Sequence, residues 1–89
     1  MDISAARTFL EIVKTGRFAN AAASLHITQT AVSARIRVLE QELGQPLFVR
    51  NKAGAKLTFS GQQFQRFATS LVRLSEQAVR SIALPQGRE

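Results

Sequence analysis

The chain is 89 residues long, short enough to hold one domain whose core must be efficient or shared with a partner. Hydrophobic residues make up 45% of it, which excludes a disordered tail, and Phe is the only aromatic, which suits closely approaching helices and a mainly α fold. Twelve Lys+Arg against six Asp+Glu leave a net charge of +6, so an anionic partner such as nucleic acid has to be weighed against the plain solubilising use of basic side chains.

Cysteine is absent, which rules out disulfide staples and Cys-ligated zinc and fits a reducing cytosol. His26 is the single histidine and falls in an expected turn with no evident partner, so neither a metal site nor a Ser-His catalytic pair is expected, and no cofactor or enzymatic activity. No apolar run reaches the roughly 18 residues of a membrane span, and the first residues lack the order of a signal peptide. A cytoplasmic protein with no membrane partner is the expectation.

Taken in order, Asp2 or Ser4 can cap a first helix whose apolar positions Ile3, Ala6, Phe9, Leu10 and Val13 recur at helical spacing. Gly16 should end it in the left-handed conformation common at helix termini, with Arg7, Glu11 and Lys14 forming a solvated face. A second helix is predicted from about Phe18 to Leu25, anchored in the core by those two residues, with Ala19, Ala21, Ala22 and Ala23 allowing close backbone approach. His26 and Ile27 make a corner, Ile27 turned inward, and Thr28 caps the next helix.

The third helix carries Val32, Ile36, Leu39 and Leu43 at 4, 3, 4 spacing, one buried stripe. At about 100° per residue the opposite side holds Thr30, Ser33, Ala34, Arg37 and Gln41, short-chained at the start and basic further along. A helix lying against base edges needs small polar groups there, whereas a plain solvated helix more often carries long Glu and Lys throughout. Arg17, at the head of the second helix, and Arg35, on the flank of the third, join the basic residues of this side. Two short helices meeting at a tight corner, the second presenting such a face, have the layout of a helix-turn-helix. Glu40 and Glu42 lie further along, where the helix should already be leaving the phosphates.

Gly44 closes the third helix. Two short strands are then predicted, around Leu47 to Arg50 and Lys56 to Thr58, joined by a tip of Asn51, Lys52, Ala53 and Gly54. Leu47 and Leu57 would face the core, with Phe48 or Val49 covering its edge. Arg50, Lys52 and Lys56 would line the outside as a phosphate-gripping wing, the alternative being an edge hairpin charged against aggregation. Thr58 or Ser60 can start a fourth helix reaching about Leu84, stopped by Pro85 and Gly87. Its residues Phe64, Phe67, Leu71, Leu74, Ala78 and Ile82 form a near-heptad seam too long for so small a domain to cover, and a second copy of the chain is the expected cover.

These residues together resemble the N-terminal DNA-binding domain of LysR-type bacterial transcriptional regulators. The resemblance rests on TFLEIVKTGRFANAAASLHITQTAVSARIRVLEQELGQPLF, on Arg50 two residues after the LF pair, and on LTFSG, which is similar to the family's LTxAG opening of a linker helix. It implies a winged helix-turn-helix over residues 1–58, a linker and dimerisation helix over 59–84, a hinge or tail over 85–89, and sequence-specific binding to a double-stranded DNA operator as a homodimer. It also implies DNA contacts from Thr28, Gln29, Thr30, Ser33, Arg37, Arg50 and the wing tip near Lys52, and an effector-binding domain that this chain does not contain. Where the family often has Arg after the serine of its AVSR segment, this chain has Ala34 followed by Arg35. A molybdate-responsive type of winged regulator, and an interaction-only module using the long helix, stand as the alternatives.

Overall fold

The structure, a computed structural model, describes residues 1–83: helices α1 (Ile3–Thr15), α2 (Phe18–Leu25) and α3 (Gln29–Leu43), a hairpin of β1 (Phe48–Asn51) and β2 (Gly54–Leu57), and a long helix α4 (Phe59–Ala83). The expected helix stop at Pro85 and Gly87, the last residue Leu84 and the tail 85–89 lie outside the described residues. No described helix is long and apolar enough to cross a membrane.

α1 and α3 begin and end on identifiable caps and α4 begins on one, whereas α2 starts at Arg17 with no side-chain cap and ends at His26. Asp2, not Ser4, caps α1 by accepting the Ser4 amide at 2.9 Å, and Gly16 closes it at φ 81°. Thr28 caps α3 through the Ala31 amide at 3.0 Å, and Gly44 ends it at φ 73°. Thr58 heads α4: its hydroxyl accepts the Gly61 amide at 2.9 Å and donates to the Pro46 carbonyl at 2.7 Å, so the cap also fastens α4 to the loop before β1. The loss of such a cap typically costs about 1 kcal/mol.

α1 is the central helix, touching α2 and α3 on one side and α4 on the other. That explains a departure from the predicted stripe. Ala5 and Ile12 are buried with Ala6 and Phe9, while Leu10 and Val13 lie at the core margin, because a helix packed on two sides needs a wider apolar face than one stripe. Thr8, polar and wholly buried, is satisfied twice over: its hydroxyl donates to the Ser4 carbonyl at 2.8 Å and accepts from Arg35 Nη1 at 3.2 Å. The Arg7 guanidinium, expected to be merely solvated, pairs with Glu76 of α4 at 3.2 Å.

In α2, Phe18, Ala21 and Ala22 are buried, but Leu25 is only half-buried instead of anchoring the core. It ends the helix at the core's edge, and Ile27 beyond the corner packs inward in its place. The corner turns at His26, whose φ of 58° is the one positive value among the described non-glycine residues.

The hairpin pairs Phe48 with Leu57 and Asn51 with Gly54, so the strands are shifted by about a residue from those predicted and the tip shrinks to Lys52 and Ala53. Leu47 and Phe48 are both buried, Leu57 is half-buried and Val49 is exposed. Phe48 packs 5.2 Å from Phe9 and 5.6 Å from Phe18, and Phe9 meets Phe64 edge-on at 5.0 Å. One line of rings thus joins the wing, the first two helices and α4, each ring contact adding about 0.5–1.5 kcal/mol to its area burial.

Candidate nucleic-acid interface

The surface opposite the core is set by α3. With Val32, Ile36 and Leu39 buried, the turn-start residues Gln29 and Thr30 are exposed, Ser33 is half-buried, and Arg37 and Gln41 stand in solvent. Thr28 is exposed beside them, its hydroxyl engaged as the cap.

The wing is mounted on the corner between α1 and α2. The Ala55 amide donates to the Gly16 carbonyl at 2.9 Å, and Arg17 Nη2 donates to the Lys52 carbonyl at 3.3 Å. Gly54 lies at φ 131°, where a β-carbon would stand 2.5 Å from the Gly16 oxygen, so glycine is needed for both conformation and approach. Asn51 Oδ1 accepts the Ala53 amide at 2.8 Å and folds the tip. The Arg50 guanidinium lies 3.8 Å from the centre of the Phe18 ring.

Arg50 and Phe18 separate two clefts. One, of about 280 Å³, runs between α3 and the wing and is bordered by Ser33, Arg37 and Glu40. The other, of about 110 Å³, opens toward the wing tip and is bordered by Arg17, Gln29 and Asn51. The two grooves meet at Phe18 and Arg50, and their polar lining is Gln29, Ser33, Asn51 and the Glu40 carboxylate with the guanidinium groups of Arg17, Arg37 and Arg50.

Gln29 thus shares one cleft with Arg17 and Arg50, Ser33 and Arg37 share the other with Arg50, and Thr28, Thr30 and Lys52 are exposed without bordering either cleft. Arg35 and Lys56 lie apart. Arg35 turns toward α1, bound to Thr8 and bordering a groove with Asp2 and Glu42, and Lys56 pairs with the exposed Val49, on the face of the hairpin away from Arg50. Phe18, the shelf beneath Arg50, lies 32 positions before it, and no local pattern in the sequence links the two; Asn51 was signalled only by its turn chemistry. Glu40 was expected to be clear of this surface, yet it borders the larger cleft, its carboxylate accepting the Leu47 amide at 2.6 Å and tying α3 to the wing.

Along α4 the predicted seam divides. Phe64 is buried with Ala68 in the chain's own core, Leu71 is half-buried, and Phe67, Leu74, Ala78 and Ile82 are exposed, together with Val79, which the seam did not include. From Glu76 to Ile82 every residue is exposed, so this end of the helix projects past the domain.

A surface of this kind can hold a polyanion by charge and test base edges with short polar side chains. The family model described as bacterial regulatory helix-turn-helix protein, lysR family, matches residues 3–62. The HTH-type transcriptional regulator HdfR of Escherichia coli O139:H28 is 41% identical over 83 residues, 93% of this chain and 30% of HdfR. The chain therefore spans less than a third of the length of that relative. Vibrio fischeri DarR in complex with DNA superposes with a TM-score of 0.88 at 34% identity, over 93% of this chain and 28% of DarR. The CbnR_DBD–DNA complex gives 0.86 at 30% identity, over 93% and 97%, and the BenM_DBD/benA site 1 DNA complex 0.83 at 33%, over 91% and 94%.

Proposed function

The chain belongs to the lysR family of bacterial regulatory helix-turn-helix proteins, and we propose that it is the DNA-binding module of a transcriptional regulator, placing α3 in a major groove and the wing on the adjoining backbone. The observation that carries this reading is the contrast on one surface: short polar Gln29, Thr30 and Ser33 at the head of α3, and arginines 17, 37 and 50 around them. Short side chains at a helix head let its backbone approach the base pairs, and in this reading the guanidinium groups beside it would meet phosphates. Gln29 and Thr30 would read bases, Ser33 would read or support, and Arg17, Arg37, Arg50 and Lys52 would hold the backbone. Arg35, engaged by Thr8, would act by fixing α1 against α3, and Lys56 by general attraction.

The module acts as a dimer in this reading. α4 is about 37 Å long, and its exposed Phe67, Leu74, Ala78, Val79 and Ile82 would be covered by the same helix of a second copy, running antiparallel. The winged domain would comprise residues 1–58 and the dimerisation helix residues 59–84. The protein would work in the cytoplasm by binding and not by catalysis.

Reading and holding separate experimentally. On a duplex selected by the wild-type protein from a random pool, Gln29→Ala should lose about 1–3 kcal/mol of discrimination at one base position and leave random duplex binding nearly unchanged. Lys52→Ala should weaken selected and random duplexes alike. Equal loss on both duplexes for Gln29→Ala would show that the head of α3 is not the reading end.

A further inference from the structure

We infer that Phe18 is a positioning residue for DNA binding: its ring is the shelf that holds the Arg50 guanidinium at the junction of the two clefts. The inference rests on the proposed reading of Arg50 as a backbone contact and deepens it.

Three observations lead there. Arg50 lies 3.8 Å from the ring centre, well inside the roughly 6 Å reach of a cation–π contact. Phe18 and Arg50 both border each of the two clefts, so the guanidinium cannot leave the ring without leaving the junction. The ring itself is fixed, 5% exposed and edge-on to Phe48 at 5.6 Å.

The residues next to Phe18 fasten the same hairpin. Gly16 accepts the Ala55 amide, and Arg17 reaches the Lys52 carbonyl. The corner that starts α2 therefore fixes the hairpin, holding Ala55, the cross-strand partner of Arg50, and also supplies the ring on which the Arg50 side chain lies. A long arginine left free loses rotamer entropy on meeting a phosphate, and one already lying flat on a ring has lost much of it beforehand. No residue of α3 or of the wing supplies a second ring under this guanidinium among the described residues.

A double-mutant cycle on one selected duplex tests this, read by fluorescence anisotropy, with circular dichroism melts of the free proteins. Arg50→Gln should weaken binding by roughly tenfold or more, the loss of a contact to a charged group. Phe18→Leu should weaken the wild type by roughly two- to fivefold and have no further effect in the Arg50→Gln background. An equal loss from Phe18→Leu in both backgrounds would overturn the inference, because a merely structural Phe18 would not know whether Arg50 is present.

If Phe18→Leu lowers the melting temperature enough to disturb the comparison, Arg50→Lys carries the test instead. It keeps the charge but lacks the planar group that lies on the ring, so affinity should fall by the same roughly two- to fivefold with the salt slope unchanged. Wild-type affinity for Arg50→Lys would overturn the inference. Unchanged affinity in Arg50→Gln would remove the contact and the inference with it, while failure of the wild type to bind any duplex would instead defeat the functional reading.

Discussion

Gly61 shows how the residue type at one position is dictated by backbone far from it in sequence. In the first turns of a helix, glycine to alanine ordinarily gains up to about 1 kcal/mol of helix propensity. Here a β-carbon on Gly61 would collide with the Leu47 carbonyl oxygen, which accepts the Thr58 amide, and crowd the side chain of Leu57, which is paired with Phe48 in the hairpin. Gly61→Ala should therefore destabilise the fold by about 1–3 kcal/mol, as overpacking does, a result that a chemical denaturation midpoint would register with its sign reversed from the helix rule. The same dependence on distant partners limits what the residues disclosed in advance. Thr28 as a cap and Ile27 as an inward residue were legible because their reasons are local, within three or four positions. The Thr8–Arg35 and Phe18–Arg50 contacts were not, because nothing in a helix wheel says which flank of α3 meets α1 or which ring a strand's arginine will cover.

At the scale of elements, α2 and α3 were legible to within a residue, because Gly16, Thr28 and Gly44 punctuate the apolar period. The hairpin was legible in kind but not in register: Leu47 and Phe48 are adjacent and both buried, which breaks the alternation from which register is read. The long helix was read as a single seam, whereas it has two faces. Gly61, Phe64, Ala68 and Val72 face the chain's own core, and Phe67, Leu74 and Ile82 face away from it. Periodicity reports that a position is apolar, and the other helices decide whether it is covered within the chain. Leu74, 63% exposed, can therefore be changed without touching the core, whereas Leu71 is half-buried in the chain itself. Leu74→Glu should leave the melting temperature of the winged part unchanged and weaken self-association by about 3–5 kcal/mol if the residue is buried against a second copy. Size-exclusion with light scattering across a dilution series checks it, and a dimer as tight as the wild type would place the interface elsewhere.

At the scale of the whole molecule, the principal extents of 55 × 26 × 19 Å describe a compact head with a projecting rod. The Arg7–Glu76 pair marks where the rod leaves the head, and from Glu76 to Ile82 the residues of α4 are exposed. Two such rods paired antiparallel would set two heads at opposite ends, each presenting its α3 to one side. A dimer touching about six to ten phosphates would lose roughly 10³ to 10⁵ in affinity between 50 and 200 mM salt. Binding by two paired heads is tested by hydroxyl-radical footprinting of the wild-type protein on a duplex that it has selected from a random pool. Two protected patches are expected on one face of the duplex, their centres one helical turn or a whole multiple of it apart, about 10 base pairs or a multiple. Protection that is absent, or that follows the backbone evenly with no pair of patches, would contradict it.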